Sequence, residues 1–129
     1  MKQIRPIILI VIALAGSCKK SDNPIVPVEV WSDGCLSLAR EGGGYRLGGM
    51  CCAYLQIPIK EFRAGTTRIV GSTYSSFTGA GYADQSVSAT VKVSESGDKV
   101  SITYTAGIQP TIHELTPGPA KLSCPCYCD

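Results

Sequence analysis

An all-β fold, a small antiparallel β-sandwich or barrel braced by disulfides behind an N-terminal export signal, follows from three features of the 129-residue chain. Apolar and polar residues alternate with period two over several short stretches. No stretch carries the 3.6-residue period of an amphipathic helix of ordinary length. Two groups of three cysteines, Cys35, Cys51 and Cys52, and Cys124, Cys126 and Cys128, lie far apart in the chain.

The N-terminus has the three-part layout of an export signal: basic Lys2 and Arg5, an apolar run from Ile7 to Ala15, then small residues before Cys18. The apolar run is shorter than the roughly 20 residues that span a hydrocarbon core. Leu14-Ala15-Gly16-Ser17-Cys18, followed by Lys19-Lys20-Ser21-Asp22-Asn23, resembles the lipobox and tether of a bacterial lipoprotein. That resemblance implies cleavage before Cys18, a diacylglycerol thioether on its sulfur, fatty acylation of the new amine, and anchoring to the cell envelope. The outer membrane is the membrane expected, with the periplasmic or surface face left open. The alternative is ordinary secretion with cleavage after Ala13-Leu14-Ala15. The implied organisation is a signal over 1–17, a lipid-anchored tether over 18–27, rich in polar residues and proline, and a cysteine-rich all-β domain over 28–129.

Along that domain, strands are expected at 26–31, 52–59 and 66–73, with a stub at 121–124. Pro58 lacks an N–H and pushes the second of these toward an edge or a bend. Gly42-Gly43-Gly44 and Gly48-Gly49 read as turns, and residues 60–64 hold one helical turn at most. The clearest element is SVSATVKVSESGDKVSITYTA, residues 86–106. Val87, Ala89, Val91 and Val93, then Val100, Ile102 and Tyr104, alternate with polar residues around Glu95-Ser96-Gly97-Asp98. This is a hairpin with one buried and one wet face.

Cysteine arithmetic agrees with export. Of the seven cysteines, Cys18 is the lipid carrier and six remain. In an extended tail, Cys124, Cys126 and Cys128 point to one face about 7 Å apart. Disulfide Cα separations usually fall below about 6.8 Å, so these neighbours pair with each other only under strain, and Cys51 and Cys52 are adjacent. Each group therefore prefers partners in the other, and this simplest solution leaves six connectivities open. A metal cluster is the alternative for Cys124, Cys126 and Cys128, because thiolates bind Zn and Cu(I). The paired Cys-x(2–4)-Cys knuckles of a structural zinc site are missing, however.

Charge and motifs narrow the function. Lys2 and Arg5 leave with the signal, which takes the 12 basic residues to 10 against 10 acidic ones. Phosphate neutralisation, the basis of nucleic-acid binding, has no charge surplus to draw on. No nucleophile elbow, P-loop or zincin helix occurs. No cofactor or metal is expected. His113, the only histidine, reads as a hydrogen-bonded or solvated loop residue, and it would be the centre of a small secreted enzyme if one existed. The stretch with a binding flavour is GSTYSSFTGAGYADQ, residues 71–85, where Tyr74, Phe77 and Tyr82 sit among small hydroxyl residues. Rigid aromatics in that setting contact proteins or stack on sugars, or else pack a long loop onto the core. The reading is a lipid-anchored, non-catalytic envelope domain with a structural or binding role. The metal-binding envelope protein and the small enzyme are its rivals.

Overall fold

Eight antiparallel strands close into an up-and-down barrel in the computed structural model, which describes residues 23–128. They are β1 (Val30–Asp33), β2 (Leu36–Glu41), β3 (Gly44–Gly48), β4 (Ala53–Ile57), β5 (Thr67–Phe77), β6 (Tyr82–Val93), β7 (Val100–Tyr104) and β8 (Thr111–Pro117). Each strand pairs with its sequence neighbour, and β8 meets β1 through Trp31↔Pro117 and Ser32↔Thr116. The expected antiparallel all-β class is thus realised as a barrel with disulfide bracing. The signal over 1–17, Cys18 and the first part of the tether lie outside the described residues.

Alternation drives the closure. Val87, Ala89, Val91 and Val93 of β6 and Val100, Ile102 and Tyr104 of β7 all face inward and are buried, as their period-two spacing predicts. They meet Trp31, Leu38, Leu47, Leu55 and Leu115 from the remaining walls. Each buried valine, leucine or isoleucine among them contributes about 1.5–3 kcal/mol. The β6–β7 turn is fastened by Ser94, whose Oγ accepts the Asp98 and Lys99 N–H groups at 3.1 Å each.

An up-and-down order puts the turns after β1, β3, β5 and β7 at one rim, here called upper. The turns after β2, β4 and β6 lie at the lower rim. The connection from Pro58 to Thr66 plugs the lower end. Phe62 is buried with its ring 5.9 Å from Trp31, edge to face at 85°, and 4.5 Å from Tyr45. Val26 N–H donates to the Phe62 carbonyl at 2.8 Å, and Ala64 N–H donates to the Pro24 carbonyl at 3.0 Å. Residues 24–27, expected to be tether, are therefore docked onto the plug.

Several expected boundaries differ. The first strand starts at Val30 rather than 26, because Ile25 makes only an isolated bridge to Arg63. Strands β2, β3 and β8 were not expected; Gly42 and Gly43 form only a tight turn between the first two. The 121–124 stub is not a strand, since covalent bonds rather than a ladder hold it. Residues 74–77 and 82–85 are strand, not loop: β5 and β6 pair without interruption from Thr67↔Lys92 to Phe77↔Tyr82.

The long β5–β6 hairpin slants across the wall. Strand β4 stops at Ile57, where Pro58 cannot supply a ladder N–H, and pairs only with Thr73–Ser76 of β5. Below Thr73, β5 runs on to Thr67 with β6 as its paired neighbour. The wall is notched there.

The tail returns over the outside of the barrel. At Gly118 (φ +120°) the chain reverses, with Gly118 N–H donating to the Val30 carbonyl at 2.9 Å. Ser32, on the outer face of β1, is covered by the tail and donates from Oγ to the Pro119 carbonyl at 3.0 Å. The tail then crosses the upper rim through Cys35–Cys124, Cys51–Cys126 and Cys52–Cys128, with Cα separations of 5.8, 5.1 and 5.4 Å. The two cysteine groups pair with each other, as their spacing favours, and in parallel order. Cys51 and Cys52 sit in the left-handed region at φ 52° and 63°. That region costs L-residues about 1 kcal/mol or more each, and here it lets two adjacent cysteines reach one strap.

Candidate functional site

The outer face of β3–β6 carries a grouping of aromatic and polar side chains, assembled rung by rung from the register. On the uppermost rung Phe77 and Tyr82 are directly paired, their rings 5.6 Å apart. Tyr54 and Asp84 flank Ser75 on the next rung. Below it come Arg46, Gln56, Thr73 and Ser86, which share one row across four strands. Gly71 and Ser88 follow.

The aromatic part forms a ledge. The Arg46 guanidinium lies 3.9 Å over the Tyr54 ring, and the Tyr54 ring is 5.3 Å from that of Tyr82. Glu41 accepts from Arg46 Nη1 at 3.3 Å, which fixes the guanidinium from the other side. Under the ledge, buried Ser75 donates to Asp84 Oδ1 at 2.6 Å. Each ring is held by a neighbour, and Tyr82 still leaves 53% of its surface to solvent. The ledge thus presents ring surface that its neighbours already support from one side.

Below the ledge the notch in the wall opens into a cleft of about 390 Å³, lined by Glu41, Gly43, Tyr45, Gln56, Gly71 and Thr73 among others. Two glycines shape it for different reasons. A Cβ on Gly44 would run into the Ile57 carbonyl, so that glycine permits close approach of β3 and β4. A Cβ on Gly71 would meet nothing within 4 Å, and its φ is not left-handed. Fold geometry therefore does not demand glycine at 71. Glycine in a strand interior weakens the strand, so this position trades stability for open space.

The aromatics singled out from sequence divide between the two faces. Phe77 and Tyr82 belong to the ledge. Tyr74 faces the barrel interior, paired with Leu55, and its ring lies 5.7 Å from that of Tyr104. Arg46 and Tyr54 were missed; their approach to residues 71–85 is long-range, and only the strand parity of residues 45–47 and 53–57 hints at it. Tyr127, 86% exposed on the strap, sits between Cys126 and Cys128, whose partners lie in the β3–β4 turn. The Phe77 N–H donates to the Cys52 carbonyl at 2.8 Å, so the strap's last bridge also supports the ledge.

His113 is on β8, not in a loop, and faces inward on the same side as Leu115. Its Nε2 lies 3.3 Å from the Tyr104 hydroxyl, which donates to Met50 Sδ at 3.0 Å. Burial pulls the His113 pKa below its ordinary value, against a smaller upward pull from Asp33. Burial, with a further contribution from Tyr74, pushes Tyr104 up to about 12. Both groups are thereby held neutral, and they read as a hydrogen-bonded cap on the upper core. The sulfurs of Cys124, Cys126 and Cys128 are committed to disulfides. A disulfide offers no thiolate for a metal.

No protein-family profile, curated protein or solved structure matches the chain.

Proposed function

We propose that this chain is a non-catalytic binding domain held at the bacterial cell envelope by a lipid on Cys18, with the outer face of β3–β6 as its contact surface. The observation that carries the reading is the ledge of Arg46, Tyr54, Phe77 and Tyr82 beside an open cleft. Exposed aromatics held by neighbours and rimmed by polar groups are the usual anchors of recognition surfaces. The lipobox-like LAGSC and the polar residues after it support the anchor. The docked Pro24–Val28 segment leaves a lead of only a few residues between Cys18 and the barrel's lower end. The ledge, toward the upper rim, then faces away from the membrane.

Two experiments test this. Fatty-acid labelling of the full chain should vanish in Cys18→Ser, and persistent labelling would remove the anchor. Oxidised residues 19–129 should co-sediment with envelope preparations, and the double variant Tyr54→Ala/Tyr82→Ala should not. Equal sedimentation of both proteins would remove the ledge as contact surface.

A further inference from the structure

We infer that the ledge and cleft take an uncharged polysaccharide strand, laid along the outer face from Tyr82 toward Gly71; this rests on the proposed contact surface and names its ligand class. The rungs from Phe77 to Gly71 span seven residues of β5, or about 20 Å. That is an extended track rather than a point site.

Its chemistry is specific. Along the track the uncharged polar side chains include the amide of Gln56 and the hydroxyls of Thr73, Ser86 and Ser88, groups that both donate and accept, as sugar hydroxyls do. The charges present are already matched or held. Arg46 is paired with Glu41, and Asp84 accepts from Ser75. An anionic polymer would find no unpaired cation among these side chains, so the track favours a neutral ligand. Tyr82 supplies the exposed ring face for the apolar C–H surface of a sugar. Gly71 supplies the depth, and its missing side chain is the feature the fold itself does not explain. A β-strand from a partner protein could also enter the notch beside β5. Its hydrogen bonds would run to the β5 backbone, however, and the ledge would be left unused.

The test uses oxidised residues 19–129 in affinity electrophoresis through gels containing a neutral β-glucan, xylan or α-mannan, with a polyuronate as the anionic control. Retardation by at least one neutral polysaccharide and not by the polyuronate is expected. Tyr82→Ala and Gly71→Val should each weaken it at least tenfold. Gly71→Val is the decisive variant, because it fills the cleft while leaving the melting temperature unchanged or raised. Retardation unchanged in Gly71→Val overturns the track, even if Tyr82→Ala abolishes it and the ledge survives as contact surface. Retardation by the polyuronate alone, or by none of the polymers, overturns the ligand class. If envelope co-sedimentation that depends on Tyr82 persists in that case, the contact surface stands with a protein as its partner.

Discussion

The barrel wall and the C-terminal strap are held by different physics. The wall rests on ladders and on a core in which Trp31, Leu38, Leu47, Leu55, Val100, Ile102 and Leu115 are fully buried. The strap, residues 119–128, has no ladder, and most of its residues are exposed. Among the described residues its noncovalent ties are the Ser32–Pro119 hydrogen bond at 3.0 Å and a Leu122 N–H to Gly34 carbonyl contact at 3.4 Å. Three disulfides fix it to the rim. Burial suits a surface with a continuous apolar face; a short polar tail with none needs covalent bonds to stay in place.

The largest expected effect comes from removing all three bridges at once. They close segments with separations of 89, 75 and 76 residues. The first closure of that size contributes roughly 4 kcal/mol in the chain-entropy treatment. Reduction should therefore lower the melting temperature by on the order of 20 °C, read by circular dichroism with and without reductant. An unchanged melt would show that the strap adds nothing to the wall.

Removing only the middle bridge with Cys51→Ala/Cys126→Ala should cost less, about 2 kcal/mol, because its neighbours already close nearly the same loop. Denaturant titration measures this, and a loss equal to full reduction would mean that the three bridges do not act as neighbours in one strap. Within the wall, Ile102→Val should cost about 0.5–1.5 kcal/mol through a small cavity. That cost should be the same in oxidised and reduced protein if wall and strap are independent; a cost that changes with redox state would couple them.

The smallest effect is one of pH. His113 has its folded pKa below the unfolded value of about 6.5. The unfolded chain then binds the proton more readily, so this contribution is present above about pH 6.5 and lost as pH falls below it. Between about pH 7 and pH 5 the melting temperature should fall more in the wild type than in His113→Gln. Equal slopes would place the imidazole in solvent.

Much of the architecture was legible. The 86–106 hairpin could be read residue by residue, because β-branched residues alternate strictly about one turn. The preference of each cysteine group for the other could also be read, because close neighbours such as Cys124 and Cys126, or Cys51 and Cys52, pair only with strain. The parallel order could not, since it depends on where Gly118 turns the tail and on which rim the β3–β4 turn occupies. Strand β8 was hidden because its inward residues Thr111, His113 and Leu115 are mostly polar, while Ile112 faces out. The β2–β3 hairpin did leave a signal, with Leu36, Leu38, Tyr45 and Leu47 alternating around a Gly-Gly turn. Treating residues 74–85 as loop concealed the parity that separates Tyr74 from Phe77. Arg46 and Tyr54 reach the ledge only through strand neighbours distant in sequence, a relation with no local signature.

The most direct test is disulfide mapping of oxidised residues 19–129 by stepwise partial reduction, differential alkylation and fragmentation between Cys51 and Cys52. The predicted result is Cys35–Cys124, Cys51–Cys126 and Cys52–Cys128. Cys35 bonded to Cys128 would run the strap the opposite way across the rim and contradict its support of the ledge.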